Sequence, residues 1–385
     1  MTVIAASGFR AAGVAAGIKP DGAEDMTLIV AESSVPAAAV FTTSATAAPP
    51  VLVSRRHVTS GRSRAVIVNS GAANAGTGSA GVADALAMAG AVAAELGCDA
   101  TDVLVCSTGP IGGRLPMATI LASVPTLVES LGADEAAGLA AARGIMTTDS
   151  VEKTAWVAGD GWTVGGIAKG AGMVRPDMAT MLAFLTTDAV VDSHTLSDVL
   201  RSAVDGTFNA LNIDGCQSTN DTVIVLASGA SGRTPATGAF AAAVHNVCAD
   251  LAHQMARDAE GASKVVRLDV SGALDDHAAR RLGLAVADSA LVRSSFFGAD
   301  PNWGRVLAAL GAAGEKIDPD RIEIAYDGTL VCAGGTAVGF DEAELSARLT
   351  GDFRVGIRVG DAAGRASVTT TDLTPDYVIF NGERS

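Results

Sequence analysis

Aromatic residues make up only 4% of the 385 residues, and the five cysteines (Cys98, Cys106, Cys216, Cys248, Cys332) form no CxxC spacing. An odd, scattered set of this kind argues against a disulfide framework and for reduced thiols in a cytoplasm. The five histidines (His57, His194, His245, His253, His277) make no HxH or HExxH pattern, so a histidine-centred zinc site is not expected. Positive charge is scarce too. The 27 Lys and Arg against 42 Asp and Glu leave a net charge of −15. That balance repels a phosphate backbone, and no basic run with interleaved aromatics opposes it, so nucleic acid is excluded as an expected partner. Mean hydropathy is positive, +0.34, yet no stretch reaches the ~20 uninterrupted apolar residues of a membrane span. The Ala-rich segment 82–96 contains Asp84 and Glu95 and reads as an amphipathic helix. Residues 1–20 lack a basic start followed by an apolar core, so no signal peptide is expected.

What is present is a chain long enough for a large core and two domains, with 49% apolar residues supplied largely by Ala and Val. Short strands are expected at 26–30, 38–42 and 51–53, broken by Pro20, Pro36, Pro49 and Pro50. A buried strand at 64–69 runs into a Gly/Asn/Ser loop, 69–78, and then a helix to Leu96. This layout suits a ligand loop at a helix N-terminus, although its spacing matches neither GxGxxG nor GxxxxGK[ST]. It recurs at 102–113, where a strand ends in Ser107-Thr108-Gly109. Hydroxyls and approachable backbone N–H groups are the parts of an oxyanion hole, and equally of a plain glycine turn. Further polar clusters close elements at Met146-Thr147-Thr148-Asp149 and at 214–222. Helices are expected at about 134–143, 194–205, 238–257 and 275–291. From about residue 322 the texture changes to short strands around one helix, 341–349. The expected division is therefore 1–280 and a smaller α+β domain, 281–385, with the boundary between 270 and 320.

The most unusual stretch is Lys169 to Leu182, KGAGMVRPDMATML. A glycine-broken loop with Lys, Arg and Pro runs into Ala179-Thr180 and then an apolar run. On composition it is a loop entering a buried strand. The sharper reading is a Thr that cleaves the bond before it and then acts as an N-terminal nucleophile. Its own α-amine, with a pKa near about 7.7, would take the proton.

Taken together, eight blocks resemble the ornithine acetyltransferase family, the glutamate N-acetyltransferases of the cyclic arginine pathway. They are GFRAAGV at 8–14, NSGAANAGTG at 69–78, CSTGPIGG at 106–113, MTTD at 146–149, the 169–182 stretch, STNDT at 218–222, ARDAEGASK at 256–264 and ADPNWGR at 299–305. They span nearly the whole chain in family order. The resemblance implies an N-terminal-nucleophile-like αββα sandwich with a smaller C-terminal domain. It also implies self-cleavage between Ala179 and Thr180 into chains 1–179 and 180–385 that stay together as α2β2, and no cofactor.

By the same resemblance, Thr180 is the nucleophile and Thr108 with Gly109 forms the oxyanion hole. Substrate contacts fall on Thr147, Lys169, Thr180, Glu260, Asn381 and Ser385. The implied substrates are N2-acetylornithine and L-glutamate, with acetyl-CoA a second candidate donor. The chain departs from the family at Gly76, where Cys is frequent, at Cys216-Gln217, and in a tail one residue shorter after Asn381. Two other readings stay open: an aminopeptidase- or amidase-like hydrolase, in which water resolves the acyl-enzyme, and an uncleaved binding protein.

Overall fold

The computed structural model describes residues 1–175 and 181–383. The chain divides into two compact units, Met1–Asn209 with Gln217–Met255, and Ala210–Cys216 with Ala256–Ser385. In order, the elements up to the middle of the chain are β1 (Phe9–Val14), β2 (Met26–Phe41), α1 (Pro49–His57), β3 (Arg62–Ser70), α2 (Gly78–Leu96), β4 (Val103–Thr108), α3 (Met117–Glu129) and α4 (Glu135–Gly144). There follow β5 (Lys153–Ala158), β6 (Thr163–Lys169), β7 (Leu182–Thr187), α5 (Ser193–Gly206), β8 (Leu211–Asn212), β9 (Thr222–Ala227) and α6 (Thr237–Arg257).

The first unit is organised by β2. Its first half pairs with β1 and, from Met26↔Asn69 to Val30↔Ala65, with β3. After a register shift between Val30 and Val35, its second half pairs with β9, from Ala37↔Leu226 to Phe41↔Thr222. A bulge bends a strand and strengthens its twist, and it also accommodates Pro36, which has no N–H to give a ladder. The two strands expected on either side of Pro36 are thus one. The full order is β4-β3-β2-β9-β7-β6-β5, with β1 on β2.

In a flat sheet β4 and β6, five neighbours apart at ~4.8 Å each, would be over 20 Å from one another. Yet Lys169 Nζ at the end of β6 lies 3.1 Å from Thr108 Oγ1 at the end of β4. The sheet has folded over on itself into two layers. The inner faces share one core, with Ile29, Ala31, Val66, Val68, Leu104 and Cys106 from one layer and Ile167, Phe184, Ile224 and Leu226 from the other. Outside the first layer, Ile67, Val103 and Val105 pack on Met88 and Val92 of α2 and Ile120 and Val124 of α3. Outside the second layer, α6 presses so close to β6 that a Cβ on Gly166 would sit 3.1 Å from Val247. The layers run α, β, β, α, which is the expected N-terminal-nucleophile-like sandwich. Helix α2 is long and apolar enough to cross a membrane, but its apolar stripe is spent on this core.

The second unit contains, besides β8, β10 (Val265–Ala273), α7 (Asp276–Asp288), α8 (Ala290–Phe297), α9 (Trp303–Ala312), β11 (Glu323–Tyr326), β12 (Thr329–Ala333), β13 (Thr336–Ala337), α10 (Glu342–Arg348), β14 (Phe353–Arg358), β15 (Gly364–Thr371) and α11 (Pro375–Glu383). Its sheet runs β13-β12-β11-β14-β10-β15-β8. Val266, Leu268 and Val270 face Leu282, Val286, Phe296, Val306 and Leu310 of α7, α8 and α9, while Arg267 and Ser271 alternate to the exposed side.

Three expectations are corrected. Residues 51–53 are helical, because Pro49 and Pro50 occupy the first turn of α1, where a missing N–H costs nothing. The single helix expected at 275–291 is two, since Ser289 ends α7 and its side chain caps α8 by accepting from Val292 N. The units part at Met255/Ala256, ahead of the 270–320 window. The reason is that β10 is an interior strand of the second sheet, paired with β14 and β15 about a hundred residues later.

The tightest contact of the first unit is at Gly13, where an added Cβ would lie 2.0 Å from Ala140 O on α4. Gly13→Ala should destabilise by about 1–3 kcal/mol. Gly90, inside α2 with nothing within 4 Å, should instead gain about 0.5–1 kcal/mol on replacement by Ala. Urea unfolding midpoints of the two variants should shift in opposite directions.

Candidate active site

The site begins where β4 ends. All six residues of β4 are buried, and its alternation sends Leu104, Cys106 and Thr108 into the interlayer space. Gly109 follows with φ +136°, and a Cβ there would meet Ala72 N at 2.5 Å. Only glycine lets this turn lie against the 69–78 loop. Side chains then lace the loops together. Ser107 Oγ donates to Asn69 Oδ1 (2.6 Å), and Asn69 Nδ2 donates to Ala72 O (2.9 Å). Asn220 Nδ2 donates to both Ala73 O (2.7 Å) and Ser107 O (2.9 Å). Three of the polar loops singled out in the sequence, 69–78, 106–113 and 218–222, are therefore one cluster.

From the other layer, β6 sends Ile167 and Lys169 inward. Lys169 is 2% exposed and donates through Nζ to Thr108 Oγ1. An ammonium has donors only, so the Thr108 hydroxyl must accept here and keeps its own proton for another acceptor. An O–H already accepting from a cation is the better donor toward a developing oxyanion.

Asp149 organises the neighbouring backbone. Its Oδ1 accepts from Gly170 N (2.7 Å) and from Lys153 Nζ (2.7 Å), and its Oδ2 accepts from Thr147 N (3.0 Å). The Asp149 and Lys153 side chains are fully buried. Burial pushes the Asp149 carboxyl up, but the Lys169 and Lys153 charges and these hydrogen bonds outweigh it, leaving its pKa below the usual carboxylate range. Cys106, two residues before Thr108, is no rival nucleophile: burial pushes its thiol up to about 12.

Of the residues selected from the sequence, Thr108, Gly109, Lys169 and Thr147 are brought together in the first unit. Glu260 and Asn381 lie in the second unit and meet there, Asn381 Nδ2 donating to Glu260 Oε2 (3.1 Å). Ala179, Thr180 and Ser385 lie outside the described residues. Register nonetheless ties down both flanks of the 170–181 segment: Lys169 pairs with Leu182, and Met181 N donates to Asp221 Oδ1 (2.8 Å). Sequence reasoning passed over Asp149, Lys153, Asn220 and Asp221. The only signal was their place inside or beside the MTTD and STNDT blocks. Among the described residues no group of three or more His, Cys, Asp or Glu is arranged to hold a metal.

Breaking the Asp149–Lys153 pair from either side removes the hydrogen-bonded counter-charge of a buried ion. Lys153→Met and Asp149→Ala should each cost about 3–5 kcal/mol in chemical denaturation. Because the folded pKa of Asp149 lies below its unfolded value of about 3.9, its contribution is present above that value and is lost as pH falls through the folded one. Stability measured against pH should show a steeper acid limb in the wild type than in Asp149→Asn.

Residues 10–385 match the ArgJ family. The chain is 47% identical over its whole length, and the whole length of the relative, to an arginine biosynthesis bifunctional protein ArgJ of Thermobifida fusca. It is 49% identical to that of Mycolicibacterium paratuberculosis, covering all of this chain and 96% of the other. Among solved structures, an arginine biosynthesis bifunctional protein ArgJ from Bacillus halodurans shares 32% of residues at a TM-score of 0.51, covering 55% of this chain and 100% of that one. An ornithine acetyltransferase from Mycobacterium tuberculosis, complexed with ornithine, shares 49% at a TM-score of 0.45, covering 47% and 95%. With its αββα first unit and its polar cluster around Thr108 and Lys169, the chain belongs to the ArgJ family, acyltransferases of arginine biosynthesis.

Proposed function

We propose that the chain cuts itself between Ala179 and Thr180 and then carries acetyl from N2-acetylornithine to glutamate on Thr180. The observation that carries this reading is the Lys169–Thr108 hydrogen bond. It places a polarised hydroxyl, with the Gly109 N–H beside it in sequence, at the strand end from which the 170–181 segment departs. The extent of one structural match adds support. The Bacillus halodurans chain, matched over its entire length, accounts for 55% of this one, roughly the share that lies beyond Ala179 and the size of chain a break there would release.

In maturation, Thr180 Oγ attacks the Ala179 carbonyl carbon and the C–N bond breaks as the proton passes to nitrogen. Water then hydrolyses the ester to the Ala179 carboxylate and the free Thr180 amine. In turnover that amine takes the Oγ proton as Oγ attacks the acetyl carbonyl. Thr108 O–H and Gly109 N–H stabilise the oxyanion, and the proton passes to the departing ornithine amine. Glutamate's amine next attacks the acetyl ester, N-acetylglutamate leaves, and Thr180 is regenerated. The Lys169 ammonium suits a substrate carboxylate. The word bifunctional in the relatives' names supports a second donor, acetyl-CoA, for the same acyl-enzyme.

Mass spectrometry should find Thr180→Ala as one uncut chain that forms no ornithine; a mutant that still splits at 179/180 ends this account. Thr108→Ala, lacking one oxyanion donor, should lose roughly 10²–10³-fold in kcat. Acetylglutamate formed from acetyl-CoA and glutamate, with no acetylornithine present, is the expected sign of the second activity. Acetate release from acetylornithine without glutamate at the full rate would favour a hydrolase instead.

A further inference from the structure

Asp221 takes no part in the chemistry above, yet it touches the chain beside the nucleophile. It immediately precedes β9, which pairs in parallel with β7 from Leu182↔Thr222 onward. Met181 is gripped at both backbone polar groups: its N–H donates to Asp221 Oδ1 (2.8 Å) and its carbonyl accepts from Thr222 N (3.2 Å). The Asp221 backbone is itself fastened, its carbonyl accepting from Thr42 N (3.0 Å) at the end of β2. The side chain is completely buried, and Oδ2 makes no hydrogen bond among the described residues. A buried carboxyl with an idle oxygen is costly to keep for packing alone.

Self-cleavage gives this contact its purpose. Before the cut, Thr180 is tethered on both sides. Afterwards its only covalent neighbour is Met181, so whatever holds Met181 sets where the Thr180 amine and hydroxyl lie. We propose that Asp221 is the positioning residue that fixes the backbone on the C-terminal side of the Ala179–Thr180 bond, serving first the cut and then acyl transfer. This rests on Thr180 as the nucleophile.

Burial favours the neutral form of this carboxyl. It drives the pKa well above the ordinary carboxylate range, further than the Met181 N–H, the Lys169 charge and the Ser218 hydroxyl draw it back. A neutral clamp adds no negative charge beside a site where an oxyanion must form, and it needs only an acceptor oxygen facing Met181.

The test compares Asp221→Asn, Asp221→Ala and Thr180→Ala, reading cleavage at 179/180 by mass spectrometry, kcat and KM for acetylornithine, and Tm. Asn keeps an acceptor for Met181 N–H, so D221N should cut and turn over within a few-fold of wild type. D221A removes the acceptor and should cut slowly, with kcat down about 10²-fold and KM little changed. The proposal is overturned if D221N, folded at the wild-type Tm, loses as much as D221A, since an ionised carboxylate is then what matters. It is equally overturned if D221A keeps the wild-type kcat or changes KM alone. Should D221A fail to fold, the D221N result decides. Thr180→Ala separates the two ideas, because cleavage in that variant removes the nucleophile itself, whatever Asp221 does.

Discussion

Two lysines, Lys153 and Lys169, have their ammonium groups inside the first unit, and a buried ammonium is tolerated only where fixed oxygens surround it. Asp149 supplies those oxygens for Lys153, and its charge also acts on Lys169. Because the same carboxylate accepts the N–H groups of Thr147 and Gly170, neutralising the lysines also shapes the loops around them. Thr108 Oγ1 accepts from Lys169 Nζ. Charge compensation and site geometry are therefore one arrangement: moving Asp149 would release two backbone segments and leave a buried cation.

That arrangement depends on the sheet doubling over. The bend is made in β2, between Val30 and Val35, where the partner changes from β3 to β9. It brings the ends of β4 and β6 together although four strands separate them in the sheet order. The inner faces can stay apolar along most of their length because small and β-branched residues, chiefly Ala, Val and Ile, fill the interlayer core. This accounts for a composition rich in Ala and Val and poor in aromatics. At the ends of the strands the layer opens into Thr108 and Lys169, so the polar groups lie where the apolar core stops.

Legibility differed sharply between residues. The buried strands, the amphipathic helices and the glycine-rich turns could be read from local pattern, because period and turn chemistry are written in neighbouring residues. Thr108, Gly109, Thr147 and Lys169 were recognisable because their blocks carry the family resemblance, which implied their roles. Asp149 and Asp221 were not. An aspartate beside a turn is normally a solvated carboxylate, and only burial with named partners distinguishes these two. The same holds for Pro49-Pro50, which read as a break in a strand until the first turn of α1 showed them as a helix start.

The sequence alone determined the acidic character and, through contiguous motifs, the family resemblance, which in turn implied the αββα class and the candidate nucleophile at Thr180. Tertiary structure decided which polar residues share a cluster. It also decided that the units part at Met255, that two lysines hold the Asp149 carboxyl below the usual range, and that burial raises the Asp221 carboxyl beside Met181. The physical reason is long-range pairing. Two aspartates of the same type shift in opposite directions, because at Asp149 two lysines and several donors outweigh burial, whereas at Asp221 burial outweighs the Met181 N–H, the Lys169 charge and the Ser218 hydroxyl.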